Sequence, residues 1–219
     1  MPTLPLMCAT IWRTSKMTDD GKKQRSHQKK MEKLKDSVDA SIASADIERG
    51  VSILLTGNGK GKSSSAFGMV MRALGYDYKV GVVQFIKGEQ LSGEELYVRD
   101  HCPAVRFYQM GTGFTWDTQD RSGDIAAAQR TWAVALELLV DPSYHLVVLD
   151  ELTYMLSFKY LDQETVLAAL RDRPENQSVV VTGRGGGSEL VSWADTVSEV
   201  KEIKHAYNAG IKARLGVDF

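Results

Sequence analysis

Beyond Gly50 the chain alternates short apolar runs with stretches of helical period. The runs are Val51–Leu55, Val80–Ile86, Val105–Tyr108, His145–Leu149 and Ser178–Val181, with a weaker one at Thr196–Ile203. They are continuous rather than alternating, which is the pattern of strands buried on both faces of a parallel sheet. Helical candidates fall between them at Ser63–Leu74, Gly93–His101, Asp120–Val140, Gln163–Arg171 and Ser188–Ala194. This alternation predicts an α/β domain over residues 50–219, with an open, mostly parallel sheet and helices on both faces.

The first fifty residues have a different texture. Met31, Leu34, Val38, Ile42 and Ala45 are spaced 3, 4, 4 and 3 apart, so Ser26–Glu48 reads as a helix with one narrow apolar stripe. Its start is basic, with seven Lys or Arg and one acid between Lys22 and Lys35. A stripe so thin buries little. Residues 26–49 are either a solvated helix on the body or a helical arm that serves as a lid, and we expect the arm. Met1–Lys16 hold two prolines, no acid and no periodicity, so residues 1–25 are expected to be a disordered extension. Their longest apolar stretch, Leu4–Ala9, contains a proline and is too short for a secretory signal.

Composition narrows the class. The 219 residues are 43% hydrophobic and 25% charged, an ordinary globular balance, so a collagen-like or fully disordered chain is excluded. A formal charge of −1 removes bulk attraction to nucleic acid, although residues 1–50 carry +3 and the remainder −4. Two cysteines, Cys8 and Cys102, are too few for a disulfide framework or a Cys-based zinc site and suit a reducing, cytoplasmic compartment. No apolar run approaches the roughly 18–20 residues of a membrane span. His27, His101, His145 and His205 have no ligand spacing.

The strongest chemical signal is Thr56-Gly57-Asn58-Gly59-Lys60-Gly61-Lys62-Ser63, between the first strand and the first helix of the domain. It fits a phosphate loop read backwards from Gly61-Lys62-Ser63, with Thr56 where the strict pattern has its first glycine. Glycines let successive N–H groups turn inward on an anion, and the following helix adds its positive end. Lys62 would neutralise phosphate oxygens and the Ser63 hydroxyl would ligate Mg²⁺. A second strand, Leu146–Leu149, ends in Asp150 and Glu151, and an acid at such a strand end holds the ion in phosphate-loop proteins. Spacing does not decide which of the two lies closer. Arg184, in Thr182-Gly183-Arg184-Gly185-Gly186-Gly187, opens on the same sheet edge and either contacts a polyphosphate or substrate, or is an exposed loop arginine. Phe114 and Trp116, in Gly111–Asp117, either present flat faces to a planar ligand or fold back into the core.

Six segments in order carry a resemblance: Thr56–Ser63, Val82–Lys87, Gly113–Trp116, Val147–Tyr154, Val181–Gly185 and Ala194–Glu199. Over about residues 26–219 the chain resembles the phosphate-loop ATP:corrinoid adenosyltransferases of cobalamin synthesis and salvage. Thr56 is what that family has, and Ser63 stands for its more usual threonine. The resemblance implies transfer of the 5′-deoxyadenosyl group of ATP to cobalt(I) of a corrinoid, releasing triphosphate. It implies that Gly57, Asn58, Gly59, Lys60, Gly61, Lys62, Ser63 and Ser64 hold the triphosphate, aided by Arg184. It also implies that Ser63 and Glu151, with Asp150 behind, hold Mg²⁺ or Mn²⁺. Lys62, Phe114 and Trp116 are the expected catalytic residues, the two aromatics lying under the corrin ring. A reduced flavin protein as electron donor and a homodimer are implied, with neither nucleic acid nor membrane as partner. A phosphate-loop ATPase or kinase acting at the γ-phosphate is the alternative.

Overall fold

The computed structural model describes residues 19–86, 92–111 and 120–218. The chain divides into two units, one ending at Ile47 and the other starting at Glu48. In the first unit, α1 spans Asp19–Ser44 as one uninterrupted helix. It begins seven residues before the expected Ser26, so the disordered extension expected over 1–25 is corrected for residues 19–25. Residues 1–18 lie outside the described residues. The helix stops at Ser44, short of the expected Glu48. Among the described residues of this unit the helix has no neighbouring element, and Met31, Leu34, Val38 and Ile42 are exposed along it.

The second unit is the expected α/β domain. Its elements run β1 (Ser52–Thr56), α2 (Lys62–Leu74), β2 (Val80–Gln84), α3 (Gly93–His101) and β3 (Val105–Gln109). They continue with α4 (Arg121–Val140), β4 (Leu146–Asp150), α5 (Leu152–Ser157) and α6 (Gln163–Arg171). The series closes with β5 (Ser178–Thr182), α7 (Gly187–Trp193), β6 (Thr196–Glu199) and a 3-10 turn at Ala206–Ala209. The six strands form one sheet in the order β3-β2-β4-β5-β1-β6. Every pairing is parallel. Among the described residues no helix is long and apolar enough to cross a membrane.

Successive strand residues point to opposite faces, and the core divides accordingly. Leu55, Val80, Val82, Leu146, Val148 and Val180 pack with Ala66, Phe67, Val70 and Ala73 of α2 and Val98 of α3. On the other face Leu54, Val83, Val147, Leu149, Val179 and Val181 pack against α4, α5, α6 and α7. The inner strands β2, β4 and β5 are buried on both faces, which is why they read as unbroken apolar runs. The strand carboxyl ends are thereby left as the open, polar edge, where sheets of this type hold their ligands.

Candidate active site

Three loops meet at that edge. After β1, Gly57 adopts φ 100°, and a Cβ there would lie 2.4 Å from the Val200 carbonyl oxygen, so only glycine fits. The close approach comes from the residue after β6. Val200 donates its N–H to Thr56 O at 2.8 Å and accepts the Gly59 N–H at 2.7 Å. The Gly59 amide is therefore spent on the loop's own bracing, not aimed at an anion. Asn58 and Ser64 are exposed, and Ser63 is half-buried in the first turn of α2. Among the described residues no side chain caps that helix at Gly61, so its first amides are not claimed by a cap.

The two lysines of the loop part company. Lys60 reaches outward and pairs with Asp218 at 3.0 Å. Lys62 is buried, and its Nζ donates to Gly59 O at 2.8 Å. Burial lowers its pKa and the Arg184 charge pushes the same way, while Glu151 and Asp150 oppose them. Lys62, Arg184, Asp150 and Glu151 thus form one electrostatic group, as their positions in the sequence suggested.

Beyond β4 the two acids are treated differently. Asp150 is buried and both its oxygens are held, Oδ2 by Gln84 Nε2 at 2.9 Å and Oδ1 by the Thr182 hydroxyl at 2.6 Å. Hydrogen bonds to a charged group contribute roughly 1.5–3 kcal/mol each, so this carboxylate is firmly anchored. Glu151 sits at φ 60°, a left-handed conformation unusual without glycine. Its Oε2 is buried with no hydrogen-bond partner among the described residues. Burial, then the neighbouring Asp150, pushes its carboxyl up to about 7, against the pull of Lys62 and Arg184.

An orphaned carboxylate oxygen of this kind fits a cation brought in with a nucleotide. No group of three His, Cys, Asp or Glu side chains able to hold an ion occurs among the described residues. The donor set of one or two carboxylates and the Ser63 hydroxyl suits Mg²⁺, which keeps several waters and leans on substrate phosphates.

The β5 loop completes the edge. A Cβ on Gly183 would come within 2.0 Å of Thr153 Oγ1, so this position too admits only glycine. Thr153, buried in the first turn of α5, donates to the Arg184 carbonyl at 2.9 Å and leaves the Arg184 side chain exposed. Gln84, Thr153, Thr182, Val200 and Asp218 were not singled out by sequence reasoning. Gln84, Thr153 and Thr182 lay within the segments that carry the resemblance but had no role assigned, and Val200 and Asp218 offered no local signal. Phe114 and Trp116 fall in 112–119, outside the described residues.

A parallel sheet with helices on both faces, a glycine loop running into α2, and an acid pair ending β4, one strand removed from β1, define a phosphate-loop nucleotide-binding protein. A family model described as ATP:corrinoid adenosyltransferase BtuR/CobO/CobP matches residues 48–219. The chain belongs to that family. A corrinoid adenosyltransferase of Pseudomonas aeruginosa is 53% identical over 203 residues, covering 93% of this chain and 100% of that protein. Proteins of the same name from Escherichia coli and, as corrinoid adenosyltransferase CobA, from Salmonella typhimurium are each 49% identical over 193 residues. Those alignments cover 88% of this chain and 97% of each relative.

Proposed function

We propose that this chain transfers the 5′-deoxyadenosyl group of ATP to the cobalt of a corrinoid, in the synthesis of adenosylated cobalamins. Family membership over residues 48–219 carries the reading. The cobalt(I) substrate is the nucleophile. It attacks C5′, the C5′–oxygen bond breaks, and the electron pair leaves with triphosphate. No protein base is required, so the chain's work is positioning and charge.

Lys62, the first-turn amides of α2, Ser63, Ser64 and Arg184 hold the triphosphate. Gly57, Asn58, Gly59, Lys60 and Gly61 shape the loop around it. Ser63 and Glu151 hold Mg²⁺, or Mn²⁺ in its stead, which would supply positive charge to the leaving triphosphate. The orphaned Glu151 oxygen favours Glu151 over Asp150 as the direct ligand, because both oxygens of Asp150 are already engaged. Phe114 and Trp116 underlie the corrin ring and keep its lower axial ligand away. The basic α1 acts as a lid. Electrons come from a reduced flavin protein, and the enzyme works as a cytoplasmic homodimer; these points rest on likeness to the family.

The test is product analysis. Incubation with ATP, Mg²⁺ and chemically reduced corrinoid should give the spectrum of an alkylated corrinoid together with intact triphosphate. Formation of ADP and no alkylated corrinoid would mean attack at the γ-phosphate instead.

A further inference from the structure

Thr182 has no part in the reaction as described, yet its hydroxyl is the most heavily committed group beside the acid pair. It is fully buried at the end of β5. In the sheet β5 lies between β1, which leads into the phosphate loop, and β4, which leads into Asp150 and Glu151. Its register is fixed by pairing with Leu55 of β1. The Thr182 hydroxyl donates to Asp150 Oδ1 at 2.6 Å and accepts the Glu151 N–H at 3.0 Å. A hydroxyl has one proton, and an ionised carboxylate can only accept, so the direction of both bonds is set. One atom thereby ties two consecutive residues, the second of them in a left-handed backbone conformation that a non-glycine residue keeps only when its surroundings hold it. The next residue in β2's register with Asp150, Gln84, secures the other carboxylate oxygen.

We propose that Thr182 is a positioning residue that holds the Asp150–Glu151 turn in the shape that presents Glu151 to the phosphate loop, and so sets the affinity of the site for the metal–nucleotide pair. The proposal rests on the reading that Glu151 serves the cation accompanying ATP. Groups that orient metal ligands without touching the ion are worth about 10–100-fold in metal affinity.

The experiment is calorimetry on the full chain, measuring ATP affinity in EDTA and again with saturating Mg²⁺. The wild-type chain should bind more tightly with the ion. Thr182→Val, similar in shape but without the hydroxyl, should lose about tenfold or more of that gain while its metal-free ATP affinity stays within about twofold. Thr182→Ser should restore the gain. A Thr182→Val chain with the full Mg²⁺ gain overturns the proposal alone, as does an equal loss with and without the ion, which would mean a merely structural role. A wild-type chain with no Mg²⁺ gain overturns the metal reading and this proposal with it. If circular dichroism shows that Thr182→Val does not fold, Gln84→Met decides, since it frees the other Asp150 oxygen. It should lose part of the gain, and an undiminished gain overturns the clamp.

Discussion

Lys62 donates to a carbonyl of its own loop from a buried position beside two carboxylates, so its charge is already aimed and partly desolvated. Lys62→Ala should slow adenosyl transfer by about 10²-fold or more, since a charged contact to a leaving polyphosphate is worth several kcal/mol. The fold should survive, because the side chain serves the loop and not the sheet. Near-normal turnover by a folded variant would remove Lys62 from the mechanism. Glu151 allows a signed test of a different kind. Its folded-state pKa is raised from 4.5 to about 7, so the neutral form is favoured on folding. Stability from this group is fully present below about pH 4.5 and is lost as pH rises through about 7. In EDTA without nucleotide, Glu151→Gln, a permanent mimic of the neutral acid, should therefore match the parent near pH 4.5 and exceed it by about 3 kcal/mol at pH 8. Thermal midpoints across that range check it, and a constant difference would refute the assigned cause. The phosphate loop, the acid pair and Arg184 were legible because each is a local pattern. The roles of Thr182, Gln84 and Val200 were not, because they arise only when strand register brings distant chain ends together. The ambiguity between Asp150 and Glu151 belongs to the same class. Only the neighbours that engage Asp150 distinguish the two.

At the level of elements, β1 to β5 and the helices expected within the α/β domain were legible within a residue or two, since two-sided burial leaves an unbroken apolar run, whereas β6 ends at Glu199, four residues short of the expected Ile203. The six-residue α5 was not foreseen, because it spans less than two turns and shows no repeat. The early start of α1 was also hidden. From Asp19 to Lys30 there is no large apolar residue, and helical period cannot be read from Lys, Gln, Arg and His alone. Helix-forming long side chains and the acid Asp20 in the first turn account for it instead. That basic, weakly amphipathic helix motivates a truncation series. Removal of residues 1–16, which carry no motif, should change nothing. Removal of residues 1–45 should leave ATP affinity nearly intact while weakening corrinoid binding and slowing transfer, through lost exclusion of water from cobalt(I). Affinities for both ligands, by calorimetry on the full chain and both truncations, provide the check. Normal corrinoid binding, or parallel loss of ATP and corrinoid, would end the lid idea.

Across the whole molecule, the sheet places β5 between the strand of the phosphate loop and the strand of the acids. The alternation of apolar runs and helical stretches predicted an α/β class but could not order the strands, because hydrophobic runs of equal strength carry no label of their neighbours. The edge strand β6 illustrates the point. All four of its residues are exposed, so burial barely marked it in the sequence, yet it pairs with β1 along its length. Its root is fixed where Arg49 forks onto Asp195 at 2.6 and 2.9 Å while Asp195 accepts the Ser52 N–H at 2.8 Å. Its far end delivers Val200 to the loop.

That delivery has a consequence during synthesis. The Gly59 amide meets Val200 about 140 positions later in the chain, and Lys60 meets Asp218 later still. A nascent polypeptide that has already emerged through β1, the loop and both acids still holds an unbraced cradle on the ribosome. Only ligands that recognise the finished arrangement can stabilise a chain by mass action. The emerging protein is thus expected to draw less support from cellular ATP before translation has passed β6 than after it, because the loop's brace comes from Val200.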